Sequence, residues 1–274
     1  MSILTLIINN YNNSEYLDEC LLSVANQTKL PDEIIIVDDN STDNSFEIIN
    51  NFRLLSFKII IKNSKNMGIS YSRNIAIDLT SSDYILFLDS DDVLFPDSIE
   101  NIKNFLTTER PDLIYSDYEL FGIVNRLEKP KYSDYSQLLL GNIFPISTVI
   151  RKKRVEEING FNLNMNLGLE DWDFYIRYLN KTDIIINKLE TPIFKYRKKE
   201  DSRNKNMNRH LLSKDYLEML DNILQNNLNS YISAFGNPIL FWRNSFIDSS
   251  KKREGFNLKN ILSKIKKRFT NVFF

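Results

Sequence analysis

Tyr84-Ile85-Leu86-Phe87-Leu88-Asp89-Ser90-Asp91-Asp92 is the stretch on which the fold turns. An unbroken apolar run of strand length stops at a cluster of carboxylates. A strand apolar on both faces belongs inside a sheet covered on both sides, which points to a mainly parallel α/β architecture. The same pattern recurs upstream. Ile3–Ile8 ends in Asn9-Asn10-Tyr11-Asn12-Asn13, and Ile34–Val37 ends in Asp38-Asp39-Asn40-Ser41-Thr42-Asp43. Ligands of such sheets bind beyond the carboxyl ends of the strands, and all three polar clusters sit there.

Helical periodicity fills the intervals. Leu17, Leu21, Val24 and Ala25 share one face, with Ser14 as the expected N-cap. Phe46 and Ile49 mark a second helix, 70–79 a third, and Pro96 opens a fourth. Further strands are expected at 57–61, 113–116, 146–150, 184–187 and 193–196. Short helices are expected at 152–158 and from Glu170 through Tyr178, with a longer one over 207–228. The reading gives one α/β domain over 1–200, in halves of 1–118 and 119–200. A helical extension follows over 201–274.

The 274 residues carry a net charge of −1, but unevenly. From Ser245 onward eight basic residues face two acidic ones, leaving the tail at +6 and residues 1–244 at −7. A body of that sign does not attract nucleic acid. The lone cysteine, Cys20, excludes an internal disulfide and lies on the apolar face of the first helix. No run approaches the roughly 20 apolar residues of a membrane span, and no leader is visible, so a cytoplasmic or peripheral location is expected.

Asp89, Asp91 and Asp92 repel one another, and a divalent cation such as Mn²⁺ or Mg²⁺ relieves that repulsion. A hydrated acidic turn is the simpler alternative. Asp39 can accept a planar N–H, while helix capping accounts for Ser41 and Asp43. Asn66-Met67-Gly68 forms a turn ahead of Arg73, which can neutralise a diphosphate, brace the aspartates, or merely form a surface ion pair. Glu170 and Asp171 adjoin Trp172. One carboxylate there can act as a general base while the indole stacks on a sugar; the alternative is plain complementarity to a helix dipole.

Taken in order, these segments resemble family 2 (GT2) of the GT-A-fold glycosyltransferases. The likeness is carried by residues 7–12, 23–28, 35–43, 66–74, 87–92 and 170–173. It implies an inverting, non-processive transferase using a UDP-sugar donor, a UDP-hexose or UDP-N-acetylhexosamine, and a glycan acceptor. Asn10, Tyr11, Asp39, Asn66, Arg73, Asp89 and Ser90 would line the donor site. Tyr11 and Asp39 would hold uracil, Asp89 would face the ribose, and Asp91 would be the principal metal ligand of a D-x-D motif. Asp171 would be the base beside Glu170, and Trp172 would meet the acceptor. Two departures stand out. Asn9-Asn10 replaces the proline-containing pair common before the tyrosine, and Lys199 stands where many members carry a metal-binding histidine. Lysine cannot ligate while protonated but can contact the diphosphate. His210, the only histidine, reads as a surface residue. The Gln-x-x-Arg-Trp motif of processive synthases is absent.

Leu258, Ile261, Leu262, Ile265 and Phe269 form a helical stripe flanked by Lys259, Lys264, Lys266, Lys267 and Arg268. A basic amphipathic helix over 256–274 reads as a peripheral membrane anchor suited to a lipid-linked acceptor, or as a helix docked on the acidic body. A non-catalytic sugar-nucleotide-binding or assembly module is the alternative function. A nicotinamide-binding fold is disfavoured, since no G-x-G-x-x-G follows the first strand.

Overall fold

The computed structural model describes residues 3–55, 58–200 and 214–237. Chain contacts divide it into a compact unit over 1–227 and a second over 228–274.

Seven strands build its main sheet: β1 (Leu4–Asn10), β2 (Glu33–Asp38), β3 (Lys58–Lys62), β4 (Tyr84–Asp89), β6 (Leu113–Ser116), β9 (Val149–Arg151) and β10 (Ile186–Leu189). Their order is β10-β6-β9-β4-β1-β2-β3. The central block β3-β2-β1-β4 is parallel, and β9 runs antiparallel between β4 and β6. The sheet is thus mixed, as suits a chain whose second half lacks regular strand–helix alternation.

Both faces of the central strands are covered, which is why they read as continuous apolar runs. Leu4, Leu6, Ile8, Ile34, Ile36, Leu86 and Leu88 join one core with helices α1 (Ser14–Ala25), α2 (Ser45–Asn51) and α4 (Ser98–Thr108). Helix α3 (Ile69–Leu79) packs against β1 and β2. Phe87 projects from β4 to meet Phe161 edge-on, with ring centroids 5.6 Å apart.

Register decides where the polar clusters fall. Asn9 pairs with both Val37 and Asp89, and Asn10 pairs with Asp38. The strands therefore carry their ladders into the polar residues, one or two positions beyond the expected ends at Ile8, Val37 and Leu88. All three clusters emerge along one edge.

A second sheet, in the order β5-β11-β7-β8, is made of β5 (Val93–Leu94), β7 (Tyr118–Gly122), β8 (Arg126–Glu128) and β11 (Phe194–Lys198). Of these, only β11 is expected from the sequence; the others are short or only partly buried and give little periodic signal. Antiparallel pairing of Phe194 with Leu94 and of Lys195 with Val93 returns the chain to the acidic cluster across a separation of about a hundred residues.

Helices α5 (Tyr135–Leu140), α6 (Lys152–Glu157), α7 (Glu170–Tyr178) and α8 (Lys214–Asn226) complete this unit. Asn226 and Asn227 donate their side-chain amides to Asp173 of α7, each at 3.2 Å. In the second unit, α9 (Leu228–Phe235) is the described element. His210 and the amphipathic tail lie outside the described residues. No helix among the described residues is long and apolar enough to cross a membrane.

Candidate active site

The loop after β1 and the loop after β2 are tied together by Asp38. Its carboxylate accepts from the Asn10 amide at 2.8 Å, the Ser41 hydroxyl at 2.5 Å and the Ser41 backbone N–H at 3.0 Å. Capping is thus not what Ser41 does, contrary to expectation. Asp43 does bond the first turn of α2, through the Ser45 N–H, and it also accepts from the Ser14 N–H. Ser14 is consequently the first helical residue of α1 rather than its cap; Asn13 precedes it and points its amide elsewhere. Asn12 and Asn40 take the left-handed conformation that asparagine tolerates.

Asp39 is buried beneath the 63–68 turn. It accepts from the Asn63 amide at 2.6 Å and from the N–H groups of Met67 and Gly68 at 2.9 and 2.8 Å. Gly68 has φ +87°, a conformation open to glycine, and this brings its N–H onto the carboxylate. Tyr11 and Asn66 are exposed in the loops on either side, Asn66 accepting from the Gly68 N–H at 3.1 Å.

Arg73 is the pivot of the site. It is 2% exposed, and it donates to Asp89 at 3.1 Å and to Glu170 at 3.0 Å. Its guanidinium also lies 5.2 Å from the Phe161 ring centroid. Of the roles open to it, bracing the carboxylates is the one this geometry provides; it is neither a surface ion pair nor free to face a diphosphate. The same contact takes Glu170 out of contention as a base. It is buried and held by a permanent cation.

Asp171 sits one residue on and remains partly exposed. One oxygen accepts from the Trp172 N–H at 2.8 Å, the other from the Asn142 amide at 2.9 Å. Leu169, just before α7, holds φ 59°, ψ 18°, a strained conformation for leucine that costs about 1 kcal/mol or more and aims the two carboxylates. Trp172 corrects an expectation. Its indole is buried and donates to the Leu138 carbonyl at 2.7 Å, so it fastens α7 to α5 and offers no open face to a sugar.

Each carboxylate of the acidic cluster has a partner on one oxygen, while the second oxygen of Asp92 is buried without one. Asp89 holds Arg73, Asp91 accepts from the Lys199 ammonium at 2.6 Å, and Asp92 accepts from the Arg197 N–H at 2.9 Å. Loss of solvent at the strand end pushes both carboxyls above the ordinary range, the fully buried Asp92 well above it, although the Asp89 side chain stays 32% exposed; neighbouring Asp91 adds to both. Arg73 counters part of the rise at Asp89. Ser90 is buried and accepts from the Asn13 amide at 2.9 Å, and Asn13 in turn accepts from Lys199 at 3.1 Å. Lys199 lies over the Tyr16 ring, 4.4 Å from its centroid.

This donor set does not suit the expected Mn²⁺ or Mg²⁺ at Asp89 and Asp91. A divalent ion is held by uncompensated carboxylate charge, and here an ammonium on one oxygen of Asp91 and a guanidinium on one oxygen of Asp89 already compensate it. Among the described residues, no group of three or more His, Cys, Asp or Glu side chains is placed to hold a metal.

Sequence reasoning gave no role to Asn13, Asn142 and Asn63. Asparagines in loops carry no periodic signal, and their partners are distant in the chain. Arg197 was also missed. It donates to the Asp91 carbonyl at 2.8 Å, pairs with Glu19, and lies between the rings of Tyr16 and Phe121.

Known proteins resemble this chain in sequence and in fold. The sequence model of glycosyl transferase family 2 matches residues 5–168. A glycosyltransferase of Haemophilus influenzae is 31% identical over 186 residues, covering 66% of this chain and 73% of its own. The Escherichia coli UDP-Glc:alpha-D-GlcNAc-diphosphoundecaprenol beta-1,3-glucosyltransferase WfaP is 35% identical over 184 residues, 66% of this chain and 72% of that protein. The fold matches crystal structures of S. aureus TarS. In the complex of TarS residues 1–349 with UDP-GlcNAc the TM-score is 0.67 at 21% identity, covering 83% of this chain and 67% of that fragment.

Proposed function

From the premise that the chain belongs to glycosyltransferase family 2 and is a glycosyltransferase, we propose that it moves a sugar from UDP to a hydroxyl of a glycan acceptor with inversion at the anomeric carbon. The observation that carries this reading is the Asp89–Arg73–Glu170 bridge, which fixes the strand-end cluster beside the one partly exposed carboxylate at the head of α7, Asp171.

Donor chemistry belongs to the strand edge. The pocket of Tyr11, Asp39 and Asn66 takes the uracil, with Asp39 held in place by its three N–H donors and using its remaining acceptor capacity on the base. Asp89 faces the ribose. WfaP is named for a UDP-Glc donor and TarS was solved with UDP-GlcNAc, which supports a UDP-linked donor here.

Acceptor chemistry belongs to Asp171. As the acceptor oxygen bonds to the anomeric carbon, the bond to the β-phosphate oxygen breaks and its electron pair leaves with UDP. The hydroxyl proton passes to Asp171. Asn142 orients this base, and a positioned base of this kind contributes roughly 10²–10⁴-fold. A lipid-linked glycan acceptor, met at a membrane surface through the basic tail, is part of the proposal. It draws support from the diphosphoundecaprenol in the name of WfaP.

The test is UDP release from a panel of UDP-sugars with a lipid-diphosphate glycan acceptor, comparing wild type with Asp171→Asn. Retention of the fold and loss of at least a hundredfold in kcat is expected. A variant as active as wild type would remove Asp171 from the chemistry, and no release from any UDP-sugar despite UDP binding would favour a binding module instead.

A further inference from the structure

We propose that the Lys199 ammonium takes the place of a divalent metal in this enzyme, so that the donor diphosphate is bound and its departure assisted without Mn²⁺ or Mg²⁺. The inference rests on the UDP-sugar reading above and concerns how the phosphates are held.

Four observations carry it. Lys199 follows β11, and the pairing of β11 with β5 returns it to the acidic cluster just before β5. Its Nζ reaches Asp91 at 2.6 Å, so one positive charge sits on the carboxylate that would hold a cation. Asp91 and the Asn13 carbonyl oxygen take two of its three N–H donors, and the Tyr16 ring supports it from one side. Finally, the neighbouring carboxylates need no metal to coexist: Arg73 neutralises Asp89, and the Asp92 carboxyl is buried against the Arg197 N–H.

A fixed ammonium serves a leaving diphosphate much as a metal does. It is a preorganised positive charge aimed at the oxygen on which negative charge develops, in a cleft partly shielded from water. The Lys199 ammonium donates a hydrogen bond to a phosphate oxygen, while the acceptor proton goes to Asp171. A lysine gives up the several coordination positions of a metal but needs no ion from solution.

The test is calorimetric titration of UDP, ADP and GDP into the full chain in EDTA and again in Mn²⁺, with Mn²⁺ uptake followed by electron paramagnetic resonance. Wild type should bind UDP equally well, within about twofold, with and without Mn²⁺. Lys199→Met should lose roughly tenfold in UDP affinity, the weight of a charge-assisted hydrogen bond. Lys199→His should bind UDP more tightly in Mn²⁺ than in EDTA. Wild-type UDP binding that strengthens tenfold or more with Mn²⁺ overturns the proposal, as does stoichiometric Mn²⁺ uptake by wild type. UDP binding no tighter than ADP or GDP sinks the UDP reading alone. The Lys199 proposal is then decided by Mn²⁺ uptake, which should be seen in Lys199→His and not in wild type.

Discussion

Replacing Arg73 with methionine keeps much of the side-chain volume and removes the charge that links both halves of the site. The cost can be worked from the contacts. Arg73 and Glu170 are each almost wholly buried, with side chains 3% and 4% exposed, so this pair lies in the interior. Removing one member of a buried pair leaves a carboxylate without its counter-charge, at about 3–5 kcal/mol. The contact to Asp89 adds little, because that side chain is 32% exposed and water screens it; about 1 kcal/mol is its ceiling. In a unit of 227 residues, each kcal/mol moves Tm by roughly 2–4 °C, so a drop of roughly 6–20 °C is expected. Urea unfolding followed by circular dichroism measures the free energy directly. The double variant Arg73→Met/Glu170→Gln tests the cause. With the buried charge gone, it should return to within about 2 kcal/mol of wild type, since neutral replacements of buried pairs are often tolerated. A single variant losing under about 1 kcal/mol, or a double variant no better than the single, would refute the view that Arg73 neutralises Glu170.

Two further predictions concern single atoms. Asp92→Asn keeps an oxygen for the Arg197 N–H and removes a carboxyl that burial pushes well above 3.8. A carboxyl raised in the folded state holds its proton more tightly there, so wild-type stability falls as pH climbs above about 4. The variant should match or exceed wild type at pH 7 in thermal melts, with its advantage shrinking towards pH 4; a marked loss at pH 7 would contradict this. Gly160→Ala places a methyl at φ +67° against the Asn74 side-chain oxygen, which bonds the Phe161 N–H at 2.8 Å. Denaturant titration should show a loss of about 1–3 kcal/mol, and an unchanged midpoint would show that this turn relaxes freely.

Much of the fold was legible because period and burial coincide. The strands β1, β2 and β4 are buried on both faces, so their apolar runs announced them whatever their neighbours. The second-sheet strands β5, β7 and β8 carry no such run, and each exists only through its pairing in that sheet. Among the site residues, Asp39, Asp89, Asp91 and Asp171 could be singled out because carboxylates at strand ends or a helix start are conspicuous. Trp172 was misjudged because an indole next to a carboxylate reads alike whether it faces a sugar or the Leu138 carbonyl. Arg73 was ambiguous for a similar reason, since a helical arginine shows its partners only when the helix is placed.

The Asp89-Ser90-Asp91-Asp92 cluster shows where the two kinds of information divide. Sequence by itself determined that a buried strand ends there and that its charges must be compensated, because apolar runs and carboxylate repulsion are local properties. What compensates them was decided by tertiary structure alone. Arg73 arrives from α3, and Lys199 arrives through a strand pairing some hundred residues away. Electrostatic pairing depends on distance in space and on burial, neither of which spacing along the chain contains.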